Sequence, residues 1–153
     1  MTARDLYQDM ILAHNKNPRN FKQLEDATHV AHGVNPLCGD DFYIFLKISS
    51  DGLIEDIGFD GSGCAISKSS ASMLTTALIG KTISEASTVK DGFIEMVTQD
   101  DCDQQAKDLL GKLKIFEGVK EYPIRVKCAT LIWRAFESAV SADSNTVIDV
   151  STE

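Results

Sequence analysis

Three cysteines, Cys38, Cys64 and Cys128, stand where a thiol is displayed or activated instead of packed. Cys38 lies in Asn35-Pro36-Leu37-Cys38-Gly39-Asp40, where proline and glycine impose an irregular backbone just ahead of a strand pattern. Cys64 closes Gly61-Ser62-Gly63-Cys64 and directly precedes a helical pattern, so unpaired backbone N–H groups and the helix dipole favour its thiolate. Cys128 is expected to repeat that arrangement by opening the last helix. Thiolates that converge are metal ligands, because a bound cation needs its sulfur donors already deprotonated. Asp40, two residues past Cys38, can supply a fourth ligand, with Zn–S about 2.3 Å and Zn–O about 2.0–2.2 Å. Asp41 competes for that role, but neighbours in a strand point to opposite faces, which favours Asp40. His32 lies a few residues ahead of Cys38 and is a tolerable ligand by distance, whereas His14 and His29 read as structural or surface residues. Cys102 sits among Asp100, Asp101 and Asp103, whose charge disfavours its thiolate, and it is assigned no role. No Cys-x-x-Cys pair is present, so each ligand has to arrive from a different element.

The elements that must deliver them follow from patterning. Leu6, Met10 and Ile11 mark an amphipathic helix that stops before Pro18. Residues 41–49 and 53–59, rich in aromatic and β-branched side chains, flank Ser50-Asp51-Gly52 and read as a β-hairpin, with a polar strand around His29 leading in. Residues 65–79 place Ile66, Ser70, Met73 and Ala77 on one helical face, with Gly80 as the stop. A further helix is expected from Ser84 into Val97, and residues 100–113 carry a helical stripe of Ala106, Leu109, Leu110 and Leu113. Residues 122–126 read as extended because Pro123 forbids helix continuation, and the last helix runs from about Cys128 to Val140, with Trp133 and Phe136 in its core. The sum is an α+β fold, a small antiparallel β-sheet packed on one face by several α-helices. Residues 1–140 form one domain and residues 141–153 a polar, disordered tail.

Length and composition set the bounds. At 153 residues and 43% hydrophobic content the chain can bury one core without staples. A net charge of −8 works against a nucleic-acid surface, which needs clustered Lys and Arg. No run approaches the roughly 18 apolar residues of a membrane span, and no export signal is evident, so a cytoplasmic protein is expected. In that compartment four scattered cysteines point to metal or chemistry before disulfides.

Three segments, Asn35-Pro36-Leu37-Cys38-Gly39-Asp40, Gly61-Ser62-Gly63-Cys64-Ala65-Ile66-Ser67 and Arg125-Val126-Lys127-Cys128-Ala129, resemble the cysteine motifs of the U-type iron–sulfur cluster assembly proteins. Leu6-Tyr7 through Asn17-Pro18-Arg19-Asn20 resembles the N-terminal signature of the same family, and the likeness spans Leu6 to about Val140. Within the family the chain is similar to the SufU branch. Lys127 precedes the third cysteine where IscU-type scaffolds carry histidine. Extra residues lengthen the interval between Cys64 and Cys128, and Tyr122-Pro123-Ile124-Arg125-Val126-Lys127 replaces the Leu-Pro-Pro-Val-Lys segment.

The resemblance implies a Zn2+ ion held by Cys38, Asp40, Cys64 and Cys128, and a partner cysteine desulfurase of the SufS type, dependent on pyridoxal phosphate. Cys38 would accept sulfur from the desulfurase persulfide once a desulfurase histidine displaces it from zinc, and Arg125 would support the charge of thiolate or persulfide. The chain would then be a sulfurtransferase-like acceptor, monomeric or weakly dimeric, that feeds downstream assembly machinery. Two other functions stay open: a scaffold on which a [2Fe–2S] cluster is built on the same ligands, and a zinc-stabilised binding module.

Overall fold

The computed structural model describes residues 3–141 and 149–151. Helix α1 (Ala3–Lys16) ends where Pro18 disfavours helical backbone in the residue before it. Its inner face carries Ile11 and the buried His14. The His14 Nδ1 lies 2.7 Å from the Ser72 hydroxyl, which also accepts the Arg19 backbone N–H at 2.8 Å, so the hydroxyl proton points to a neutral imidazole. Burial, then the charges of Arg19 and Lys112, hold the His14 pKa below 6.5. A base kept neutral by the fold contributes stability that is complete above its unfolded pKa and is lost as pH falls through the folded one. Denaturant unfolding of wild type and His14→Asn is therefore expected to show a stability gap near neutrality that narrows below pH 6.5. A gap independent of pH would contradict the neutral-imidazole assignment.

Three strands build the sheet: β1 (His29–Asn35), β2 (Asp40–Ile48) and β3 (Ile54–Ser62). They pair antiparallel, Asn35 opposite Asp40 and Asp41 opposite Ser62. The period-2 alternation of β2 puts Asp40, Phe42, Ile44 and Leu46 on the buried face and Asp41 and Tyr43 outside. A short strand β4 (Asp149–Ser151) runs parallel to β1 and completes the order β3-β2-β1-β4. Part of the tail read from sequence as disordered is thus strand, and residues 142–148, 152 and 153 lie outside the described residues.

Helices α2 (Ala65–Leu78) and α5 (Pro123–Ser141) cover the sheet, and α3 (Ile83–Thr98) packs against α5, around a core that includes Phe42, Phe59, Leu74, Phe93 and Trp133. Two contacts fix how α2 and α5 meet. The Trp133 Nε1–H donates to the Ser70 hydroxyl at 3.1 Å, which donates to the Ala129 carbonyl at 2.6 Å. On the other side of α5, a Cβ on Gly33 would stand 3.1 Å from the Leu131 Cδ1, so the helix rests directly on β1.

Two sequence expectations need correction. The stripe over residues 100–113 is not one helix: α4 (Gln104–Asp108) is a single turn, Gly111 turns to φ 55°, and a 3-10 segment (Gly111–Glu121) carries Leu113, Phe116 and Val119 into the core. Residues 123–126 are helical, not extended. Pro123 occupies the first position of α5, where its missing N–H costs nothing and its fixed φ suits the helix. Among the described residues, no helix is long and apolar enough to cross a membrane.

Candidate metal centre

The β1–β2 connection and the leading ends of α2 and α5 meet at one rim of the sheet. Cys38 sits in the tight turn between Asn35 and Asp40, closed by the Cys38 N–H donating to the Asn35 carbonyl at 3.2 Å and by Gly39 at φ 69°. Its neighbours Leu37 and Gly39 are exposed and Cys38 itself is half-buried. Asp40, the first residue of β2, turns inward and is 2% exposed. Its Oδ1 accepts the Cys64 backbone N–H and the Ser67 hydroxyl, each at 2.9 Å. Gly63 makes room for this: a Cβ there would come within 2.6 Å of that oxygen and 2.7 Å of the Ser67 Oγ.

Cys128 lies in the second turn of α5, one turn later than the sequence implied, and is buried. Its Sγ is 2.9 Å from the Cys38 Sγ, beyond the roughly 2.05 Å of a disulfide, and all four cysteines are free. Among the described residues, Cys38, Asp40 and Cys128 form the group able to share one ion, with one ligand atom from each mutually within 4.8 Å. Cys64 stands beside that trio. As the N-cap of α2 it turns its thiol to Ser67, accepting the backbone N–H at 3.4 Å and lying 3.5 Å from the hydroxyl.

The electrostatics divide the two inner thiols. The hydrogen bond from Cys128 outweighs burial and, with the Ser67 contacts, brings Cys64 down from 9.0 to about 6, against the Asp40 charge. Cys128 moves up, because Cys64 takes its proton as a hydrogen bond, burial penalises its charge and Cys38 adds a further contact. The two shifts come first from the hydrogen bond between these thiols, and Cys64 alone gains a further lowering from the Ser67 N–H at the start of α2.

A cation suits these donors. The Asp40 Oδ2 is buried with no hydrogen-bond partner, and so is the Asn35 Oδ1 next to it across the strand pair. An orphaned carboxylate oxygen beside the two sulfurs of Cys38 and Cys128 is a costly arrangement unless a metal fills it, and thiolate with carboxylate matches zinc or iron. Asn35 and Ser67 have parts that the sequence did not assign. Asn35, fully buried, aims its Nδ2 at the Cys128 Sγ across 4.0 Å, and Ser67 holds Asp40. Their only signal was membership of the Asn-Pro-Leu-Cys and Gly-Cys-Ala-Ile-Ser runs.

The remaining candidates fall elsewhere. Asp41 lies on the outer face of the sheet, 2.5 Å from the His32 Nε2, and His32 stacks on Tyr43 at 4.1 Å. His29 bonds Thr28 at 2.8 Å. The Cys102 thiol is raised, first by burial and then by Glu95, with Asp103 a smaller contributor than the sequence suggested. Arg125 is exposed on the first turn of α5, one turn ahead of Cys128, and lies 4.6 Å over the Tyr122 ring. Its charge reaches the Tyr7 phenol, whose pKa is raised by burial and also feels Cys64 and Cys128.

Fold and donor set together define a small α+β domain with a thiol-rich candidate metal site at its sheet rim. Residues 6–129 match the NifU-like N-terminal domain, and the chain belongs to that family, whose work is iron–sulfur cluster assembly. It is 40% identical over 138 residues to the zinc-dependent sulfurtransferase SufU of Bacillus subtilis, covering 90% of this chain and 91% of that one. It is also 39% identical over 140 residues to the iron–sulfur cluster assembly scaffold protein IscU of Streptococcus pyogenes, covering 92% and 86%. Among solved structures, a protein assigned to iron–sulfur cluster assembly for the SUF system in Fervidobacterium islandicum superposes with a TM-score of 0.81 at 32% identity, over 91% of this chain and 99% of that one. A NifU-like N-terminal domain from Brucella abortus gives 0.78 at 25% identity, over 90% and 93%.

Proposed function

We propose that this protein carries sulfur: it accepts the outer sulfur of a cysteine desulfurase persulfide on Cys38, under control of a zinc ion held by Cys38, Asp40, Cys64 and Cys128. The observation that supports this most is the unequal anchoring of the four. Asp40 is tied to the cap of α2, Cys64 is that cap and Cys128 is buried in α5, whereas Cys38 rides a half-exposed turn. Of the set, Cys38 can leave and return without disturbing the core. Cys64, in hydrogen-bond contact with Cys128 beside the trio, would supply the fourth ligand.

The transfer balances without an oxidant. The Cys38 thiolate attacks the outer sulfur of the donor's R–S–SH, a bond forms between the two sulfurs, the donor S–S bond breaks, and R–S⁻ departs while Cys38 keeps the S–SH. Zinc, when bound, keeps the ligand thiols deprotonated and subdued until one is released. Arg125 offers positive charge one helical turn from Cys128, suited to a persulfide anion. A single domain over residues 1–140 working in the cytoplasm, monomeric or weakly dimeric, fits this role.

The likeness to IscU keeps a second reading, a [2Fe–2S] scaffold on the same donors. Against it, Lys127 stands beside Cys128 where an imidazole could hold iron, and an ammonium cannot. Metal content of protein purified without added iron separates the two. One zinc per chain and no colour is expected, and a brown product with bound iron and sulfide would favour the scaffold.

A further inference from the structure

A cavity of about 440 Å³ opens beside the trailing halves of α1 and α2, lined on α2 by Met73, Thr76 and Ala77. At 1.5 Å rise per residue, that is roughly 15 Å along α2 from the Cys64 cap. Part of its lining is apolar, with Met73, Val89, Leu110 and Leu113 each buried. Arg19, Lys81, Lys112 and the buried His14 complete the lining, and no acidic side chain contributes, in a chain whose net charge is −8.

These cations are not spent elsewhere. Among the described residues none of the three forms an ion pair, and Arg19 gives one N–H to the Asn17 carbonyl at 2.8 Å. Glu85, the carboxylate that feels Lys81, is held by the Thr82 N–H in a capping box. Arg19 and Lys112 both act on the His14 ring, so these charges converge on one space. The Nδ1 of His14 is engaged by Ser72, which leaves Nε2 for a ligand. Helix C-termini attract cations by themselves, and Arg19 and Lys81 follow two of them. That accounts for the sign of the charge and not for the partly apolar cavity beside them.

We infer that this cavity binds a small organic phosphate, its head held by Arg19, Lys81 and Lys112 and its apolar body against Met73, Val89, Leu110 and Leu113. Three cations suit a dianionic head better than a single carboxylate, and the volume is that of an ordinary small-molecule site. The inference is independent of the sulfur relay.

Calorimetric and NMR titration of the full chain with phenyl phosphate, inorganic phosphate and benzyl alcohol tests it. Phenyl phosphate is expected to bind saturably and shift the resonances of His14, Val89 and Leu113. Losing the apolar body, as in inorganic phosphate, weakens binding by about 10-fold or more, and benzyl alcohol fails to compete. Lys81→Gln/Lys112→Gln weakens phenyl phosphate by at least about 10-fold, while Lys81→Arg/Lys112→Arg retains it, with thermal melts reporting that both variants fold. Absence of saturable binding in the millimolar range overturns the inference. Equal affinity for phenyl and inorganic phosphate, or an undiminished response in the folded Gln variant, overturns it too.

Discussion

Cys38→Ser is expected to yield a folded chain that no longer stimulates a cysteine desulfurase, whose turnover falls back to that of the desulfurase alone. The size of the effect follows from where Cys38 sits. It occupies a half-buried turn outside the hydrophobic core, so the fold is expected to tolerate its replacement. A hydroxyl is almost wholly protonated near neutrality and cannot attack a persulfide sulfur, so transfer is abolished and not merely slowed. Titrating desulfurase activity against wild type and variant, beside thermal melts of both, reads the two expectations apart. Full stimulation by the folded variant would remove Cys38 from the relay.

Asp40→Ala is expected to lose metal while leaving the metal-free fold largely intact. In the absence of metal the carboxylate is a burden: it is buried, one oxygen has no partner, and it opposes the Cys64 thiolate. Removing it takes an acceptor from the Cys64 N–H and the Ser67 hydroxyl, but that hydroxyl keeps the Cys64 carbonyl at 3.0 Å. These changes offset one another in the apo protein. With metal present the variant lacks its only oxygen ligand. If affinity drops about 100-fold, the stabilisation conferred by zinc falls by about 2.7 kcal/mol. Denaturant unfolding with and without zinc, on wild type and variant, measures that difference. A variant that gains as much from zinc as wild type would place the ion elsewhere.

Much of this site was legible because single positions carried unambiguous physics. The alternation of a strand separates Asp40 from Asp41, and the two do point to opposite faces, one toward the sulfurs and one to His32. A cysteine preceding a helix pattern is placed for capping, and Cys64 does cap α2. What stayed hidden were residues whose chemistry admits two readings. Pro123 reads equally as a helix breaker or as a first-turn residue, and taking it as a breaker misplaced the start of α5 and the place of Cys128 within it. Gly111 reads as a tolerable helix glycine or as a left-handed hinge, and the structure takes the hinge, after which Phe116 packs edge-on against Phe93. Asn35 and Ser67 were invisible for another reason. A buried polar side chain gains its part from partners remote in sequence, Cys128 and Asp40, that patterning does not bring together.

The lowered pKa of Cys64 and the raised one of Cys128 follow from one shared proton, and they describe the chain with its thiols packed against each other. Binding of a cation replaces that proton, which is why metal uptake is expected to release protons and to weaken in acid.

X-ray absorption at the zinc edge of the purified chain tests the four-ligand centre most directly. Three sulfurs at about 2.3 Å and one oxygen near 2.0–2.2 Å are predicted. A shell with two or fewer sulfurs, or one made of nitrogen and oxygen alone, would contradict it.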